Sequence, residues 1–483
     1  MLRAFRKKTA VLCRTFFFVS TLISFQSQAQ RFQVLHGSPY AGSISKDYNP
    51  AGILNSPDRW DVTVFGLQYR NITNGIAFNN LSLISQPDTI KYHSEEGTER
   101  RYVHAANTIN LLHFRYRLDL RSAFSAGINL RSYLHAQTSA FYLNDTMNNM
   151  TDFLNGNLQT EKYYMNAQTS NWMEYSFAYS RVIKSNDAGR LQGGIELRVM
   201  KSLAGAYGRL ENVRFTNQVI NGQNYFLITD ANGEYGYSAN TDELNSKNNA
   251  VSPFKSFMQG ASMNVGLNAG VEYVRYWDDA YGGPKSSIDY NWKFSAALMD
   301  IGSNKYTYST NSFKFSGVNP NIYSNNVDNT LDGQFDFDKV RDSIRTWSQS
   351  YSTPTGNFII SNPMRLLMNF DKNFQNNFSL NAEAQLNFNS TRSMQRVNTR
   401  ETSAITVTPR WETKSLGAYM PFQYTTEGNF WIGMGLKAGP LVLGLENMGW
   451  LLSKKSMPNG GFYLALQIRP GKAREHDAMP CPE

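Results

Sequence analysis

The chain reads as all-β: a transmembrane antiparallel β-barrel of about 14 strands. Three observations carry that expectation. A secretory leader opens the chain, an apolar–polar alternation of period two recurs along it, and short and long connections alternate between those stretches.

The leader comes first. Arg3, Arg6, Lys7, Lys8 and Arg14 precede an apolar run, Thr15 to Phe25, and then small residues at Ser27 and Ala29. That run is too short for a helix crossing a bilayer, which needs about 20 residues. Cleavage is expected after Ala29, which removes residues 1–29. Cys13 lies before the apolar run, not behind it at a small-residue site, so a lipid anchor is not expected. Cys481 is the other cysteine, so no internal disulfide is expected in the processed chain. Residues 30–59 read as a plug or latch segment, 60–470 as the barrel and 471–483 as a polar tail.

The alternation is clearest in FSLNAEAQLNF, Phe378 to Phe388. Phe378, Leu380, Ala382, Ala384, Leu386 and Phe388 are apolar; Ser379, Asn381, Glu383, Gln385 and Asn387 are polar. It recurs in LLHFRYRL, in AFSAGINL, in MEYSFAYSR and in MNVGLNAGVEY. Segments of about ten such residues suit a tilted strand crossing a bilayer. Residues 118–122, 184–190 and 371–377 read as tight turns. Residues 135–171, 202–261 and 303–362 read as long polar loops. A soluble sandwich has no reason to sort its loops this way. Aromatic residues at strand ends suit an interfacial girdle. FDKVRDSIRTW places Phe337, Val340, Ile344 and Trp347 at helical spacing, a small helix within a long loop.

Composition excludes several function classes. The full chain carries +9, and about +4 once the leader is gone, too mild for nucleic-acid binding. Among the six histidines there is no HExxH, and there is no GxSxG, so no catalytic residue, metal or cofactor is assigned. DNTLDGQFDFD, Asp328 to Asp338, resembles a calcium loop only in part, because Lys339 stands where the final glutamate belongs. It reads as a solvated loop.

Several stretches resemble known barrels. YNPAGI, Tyr48 to Ile53, is similar to the NPAG-type motif of FadL-like and PorV-like outer-membrane barrels, where the chain start folds into the lumen. SAALMDIGSNKY, Ser295 to Tyr306, resembles the Asp-Ile-Gly strand-end motif of such barrels. TPRWETKSLGAYMPFQY and GMGLKAGPLVLGLENMG resemble the last strands of an uncharacterised Gram-negative outer-membrane family. The resemblance implies a transport-type scaffold in the outer membrane, touching lipid and lipopolysaccharide, and leaves the ligand open.

The candidate residues follow. Asn49, Pro50 and Gly52 form a latch turn, in which Asn49 is held extended by Pro50 and Gly52 frees the backbone. The alternation sends His113, Arg115, Arg117 and Arg131 into the lumen as a basic patch, with Glu174, Glu196 and Arg198 elsewhere on the wall. A plugged barrel with paired charges is preferred over an open, charge-selective pore. Two functions remain in view: passive passage of small hydrophobic molecules, or a non-enzymatic barrel whose long loops bind partner proteins.

Overall fold

A computed structural model describes residues 32–79, 91–147, 149–159, 162–220, 223–245, 251–277, 288–331, 337–388, 397–399, 402–449, 455–456 and 459–470. The leader, the polar tail with Cys481, and residues 332–336 of the calcium-like stretch lie outside them. Fourteen antiparallel strands close into a ring. They are β1 (Trp60–Thr73), β2 (Gly97–Arg117), β3 (Ser122–Leu143), β4 (Tyr163–Asn186), β5 (Gly189–Ile220), β6 (Met263–Arg275) and β7 (Trp292–Thr307). The second half comprises β8 (Arg365–Asn373), β9 (Phe378–Asn387), β10 (Ala404–Glu412), β11 (Leu416–Tyr419 and Phe422–Thr425), β12 (Phe430–Ile432 and Met434–Ala438), β13 (Leu441–Leu445) and β14 (Gly460–Ile468). β14 pairs back onto β1, Val62 opposite Ile468 and Thr63 opposite Gln467. Closure leaves no open edge in the membrane.

The wall is inside-out relative to a soluble fold. Along β9, Phe378, Leu380, Leu386 and the following Phe388 are exposed, while Asn381 and Glu383 are buried. On β4 and β5, Phe177, Ile195 and Leu197 are exposed while Glu174, Glu196 and Arg198 are buried. An exposed apolar row around a closed barrel is a lipid-facing row. Both ends of the ring, Trp60 and Ile468, lie with the tight turns, which marks that end as periplasmic.

The turns fall where the sequence places them, at 118–121, 187–188 and 374–377. The long connections do not remain loops. β5 runs on to Ile220 and pairs with a returning strand, Gln223–Tyr237. That strand pairs with Phe313–Val318, which pairs with Ser348–Ser352. Residues 202–208 are buried without a break, so both faces of β5 are covered there and the two-residue rhythm disappears. The expected helix is present as Phe337–Trp347, its Phe337 ring against Tyr235. Asp328 sits in the helix Ser324–Leu331 and accepts the Met150 amide at 2.7 Å, a structural partner.

Candidate functional site

The inward rows are polar, and the chain's first described residues lie against them. Three short 3₁₀ helices, Gln33–Leu35, Gly42–Asp47 and Pro50–Leu54, make up this segment, and nearly every residue from 32 to 56 is buried. Its contacts reach strands from both halves of the ring. His36 Nδ1 lies 2.5 Å from Glu383 on β9. Lys293 donates to the Gly37 carbonyl at 2.6 Å, and Arg410 donates to the His36 and Gly37 carbonyls. The Ser43 amide donates to Asp61 on β1, and Gln467 on β14 donates to the Ala41 carbonyl. Asn55 donates to Glu272 on β6 at 2.6 Å.

The turn Asn49–Pro50 shows why its residue types fit. Asn49 is extended, its Oδ1 accepts the Ala51 amide at 3.0 Å, and Pro50 begins the 3₁₀ helix. Asn49 Nδ2 also donates to the Val271 carbonyl at 3.4 Å. Gly52 differs from expectation. It is not among the residues with positive φ, and a Cβ there meets Ser45 at an ordinary 3.5 Å. The glycines this turn needs are on the wall. A Cβ on Gly194 would sit 2.4 Å from the Pro50–Ala51 peptide, and one on Gly270 would sit 2.1 Å from Asn49 Oδ1.

The charged residues do not gather into one basic patch. Arg115 donates through Nε to Asp61 at 2.5 Å and to the Ile53 and Asp58 carbonyls. His113 lies 2.6 Å from Asn129 and 3.8 Å from Asp47. Arg117 stands half-buried at the periplasmic end of β2. Arg131 and Arg198 belong to a separate node with Glu174, near which Glu196 pairs with Lys46 at 3.3 Å. A carboxylate lies among the cations at each place, because adjacent buried guanidinium groups repel unless an anion lies between them. Burial opposes the charges of Lys46 and Asp47, yet their mutual pairing outweighs it. Lys46 is held above its ordinary value and Asp47 below.

The residue at the centre of that node is Asp300. Arg131 Nη1 lies 2.6 Å from it and Arg198 Nη1 2.5 Å, and Arg365 reaches its other oxygen. Glu174 takes Arg131 at 3.5 Å, Arg198 at 3.4 Å and Trp172 Nε1 at 3.0 Å. Asp300 and Arg365 were not among the sequence candidates. In strict alternation Asp300 shares the outward row of Phe294, Ala296 and Leu298, a carboxylate facing lipid. That conflict is the sequence signal for a bulge. The register of β7 against β6 shifts between Leu298 and Ile301, and Asp300 has φ +60°. The bulge turns Asp300 inward.

The segment and the wall also share an apolar contact. Phe32, Val34, Leu35, Ala41 and Ile44 pack on Ala297, Met299, Leu367, Val442, Tyr463 and Ala465. No group of three or more His, Cys, Asp or Glu side chains among the described residues is placed to hold a metal ion.

Solved structures resemble this barrel at low identity. The TodX monoaromatic hydrocarbon channel, as its deltaS2S3 mutant, is 10% identical, covers 88% of this chain and 93% of its own, and gives a TM-score of 0.39. A Pseudomonas aeruginosa FadL homologue is 11% identical over 91% of this chain and 97% of its own, with a TM-score of 0.41. Comparison with curated proteins gives no match. The model of the family of unknown function DUF5723 matches residues 50–445, and the chain belongs to that family.

Proposed function

We propose that this barrel lets small hydrophobic molecules pass across the outer membrane, and that residues 32–58 are a latch closing its lumen. One observation carries the reading. A largely polar lumen wall holds an apolar strip, Ala297, Met299, Leu367, Val442, Tyr463 and Ala465, and the segment covers it with its own apolar side chains. Moving the segment uncovers a surface that water solvates poorly and an apolar molecule fills. Most of the segment's remaining ties are single hydrogen bonds and ion pairs to the wall, which exchange for water as it leaves.

The test uses proteoliposomes and planar bilayers. The full chain is expected to show no conductance steps and slow uptake of N-phenylnaphthylamine; deletion of residues 32–57 is expected to give steps and fast uptake. A deletion variant that folds yet shows neither overturns the reading. The partner-binding alternative is supported by the outer sheet built from β5, Gln223–Tyr237 and Phe313–Val318, which offers a rigid platform. Co-purification of a stoichiometric protein that is lost when residues 223–237 are removed favours it.

A further inference from the structure

Three neighbouring strands carry a proline or a break at one level: β10 runs through it unbroken, and β11 and β12 are each split in two. Pro409 in β10 and Pro421 between the halves of β11 have no N–H to donate. Met420 donates to the Pro409 carbonyl at 3.2 Å, and Gly433, between the halves of β12, donates to the Pro421 carbonyl at 2.7 Å. A Cβ on Gly433 would sit 2.7 Å from the Pro421 ring, so the two strands cross closely there. The line Pro409–Pro421–Gly433 therefore runs across the wall with a thinned ladder.

Beyond this line, toward the extracellular end, stand residues 404–408, Phe422–Thr425 and Phe430–Ile432. One side of this three-strand piece is tied to β9, Gln385 opposite Ala404 and Asn381 opposite Thr408. The other side is not. β13 ends at Leu445, opposite Met434, so among the described residues no strand flanks Phe430–Ile432. Among the described residues, one backbone bond reaches it from that side, from Met448 to the Ile432 carbonyl.

That side is closed by side chains. Arg70 on β1 donates to Gln423 at 3.1 Å and its guanidinium lies over the Trp431 ring at 5.3 Å. Trp431 packs with Ile72 and Tyr102. At the tip, Glu427 accepts Arg100 at 3.0 Å and faces His104, which is stacked on His135.

We infer that residues 404–408 and 422–432 form a flap hinged on Pro409, Pro421 and Gly433, and that Ile72, Tyr102 and Trp431 beneath it are the first binding site for an uncharged apolar molecule entering the lumen. This rests on the transport reading above and adds an outer gate separate from the N-terminal latch. Hinges of this kind absorb motion at a few positions while the strand halves stay intact. The flap's swinging edge is held chiefly by side chains: Arg70 with Trp431 and Gln423, Glu427 with Arg100 and His104, and Asn429 with Tyr102, so opening breaks few backbone bonds. The cluster it uncovers is aromatic and apolar at its centre, with Arg70 over Trp431 and with Arg100 and His104 against Tyr102.

The test follows N-phenylnaphthylamine uptake together with the distance between spin labels at Tyr424 on the flap and Leu112 on β2, both exposed. Glu427→Gln loosens the tip and is expected to raise initial uptake about two- to fivefold, the equilibrium shift from losing one partly exposed ion pair. Probe is expected to lengthen the label distance. Trp431→Ala is expected to raise the probe concentration for half-maximal uptake, with Trp431→Phe intermediate. Heat-modifiable gel mobility reports folding, and Trp431→Phe carries the comparison if the alanine variant does not fold. If the segment deletion conducts probe while Glu427→Gln and the label distance stay unchanged, the flap is wrong and transport stands. If neither the full chain nor the deletion takes up probe, the transport reading fails and the flap falls with it.

Discussion

Asp300 shows how much one residue can hold. Three guanidinium groups from β3, β5 and β8 converge on its carboxylate, all of them buried. Removing one partner of a buried charge network leaves the others uncompensated. Asp300→Ala is expected to cost about 3–5 kcal/mol, read from urea-dependent refolding into detergent or lipid. Leu380 makes the opposite test. It is exposed on the lipid side of β9, and Leu380→Arg is expected to cost about 2–4 kcal/mol in membrane folding. Its neighbour Asn381 exchanges two side-chain hydrogen bonds with Asn369 and is buried. Asn381→Ala removes both of these bonds while Asn369 keeps its donation to Glu383 at 3.2 Å, and is expected to cost about 1 kcal/mol, measured in the same assay. Alternation alone presents Asn381 as a lumen residue of little consequence; the Asn369 pair is invisible to it because the partner lies on another strand.

Elements carry the seating of the N-terminal segment and the strand turns. The Asn49–Pro50 turn fits against Gly194 and Gly270, whose missing side chains make room for it. Gly270→Val keeps charge unchanged and fills that room. It is expected to lift the turn and expose Lys46 to trypsin in folded protein, where the unaltered chain is protected. Persistent protection would show that the segment's other ties suffice. The β2–β3 turn offers a pH test. Asp119 accepts the Arg121 amide at 2.6 Å, and that bond, with help from Ser122, holds its carboxyl below the ordinary value. A depressed carboxyl stabilises the fold above the ordinary aspartate range and loses that contribution as pH falls through its folded value. Asp119→Asn is therefore expected to flatten the acid limb of refolding stability, by a small amount because the group is exposed to solvent. These turns were legible in the sequence because Leu118–Ser122 interrupts two clear alternations. The outer halves of β4 and β5 were not, because residues 167–170 and 202–208 are buried on both faces and alternation carries no signal there.

At the scale of the whole molecule, closure is the decisive fact. β14 meets β1 over a few residues, Val62 to Phe65 against Leu466 to Ile468. Deleting Gly460–Ile468 opens the ring and leaves unpaired backbone in lipid, which no later contact offsets. The expected result is complete loss of the heat-modifiable folded band, whereas deletion of residues 32–57 is expected to keep it. That contrast separates the wall, which must close, from the segment that lies against it. The ring sets where the protein resides, and in the proposed reading the segment and flap set what the lumen admits.

The sequence by itself determined the barrel, its sidedness and the lipid face of strands such as Phe378–Asn387, because a lipid outside and a polar lumen inside impose a period of two on every spanning strand. It also pointed to YNPAGI as a feature of the chain start. Only the tertiary structure decided which charges meet. Asp61 finds Arg115, His36 finds Glu383, and Asp300 gathers Arg131, Arg198 and Arg365, partners far apart in the chain. Strand register and a single bulge fix those meetings. A one-residue shift moves each side chain to the opposite face, and no local pattern of residues encodes which distant strand it will face across the lumen.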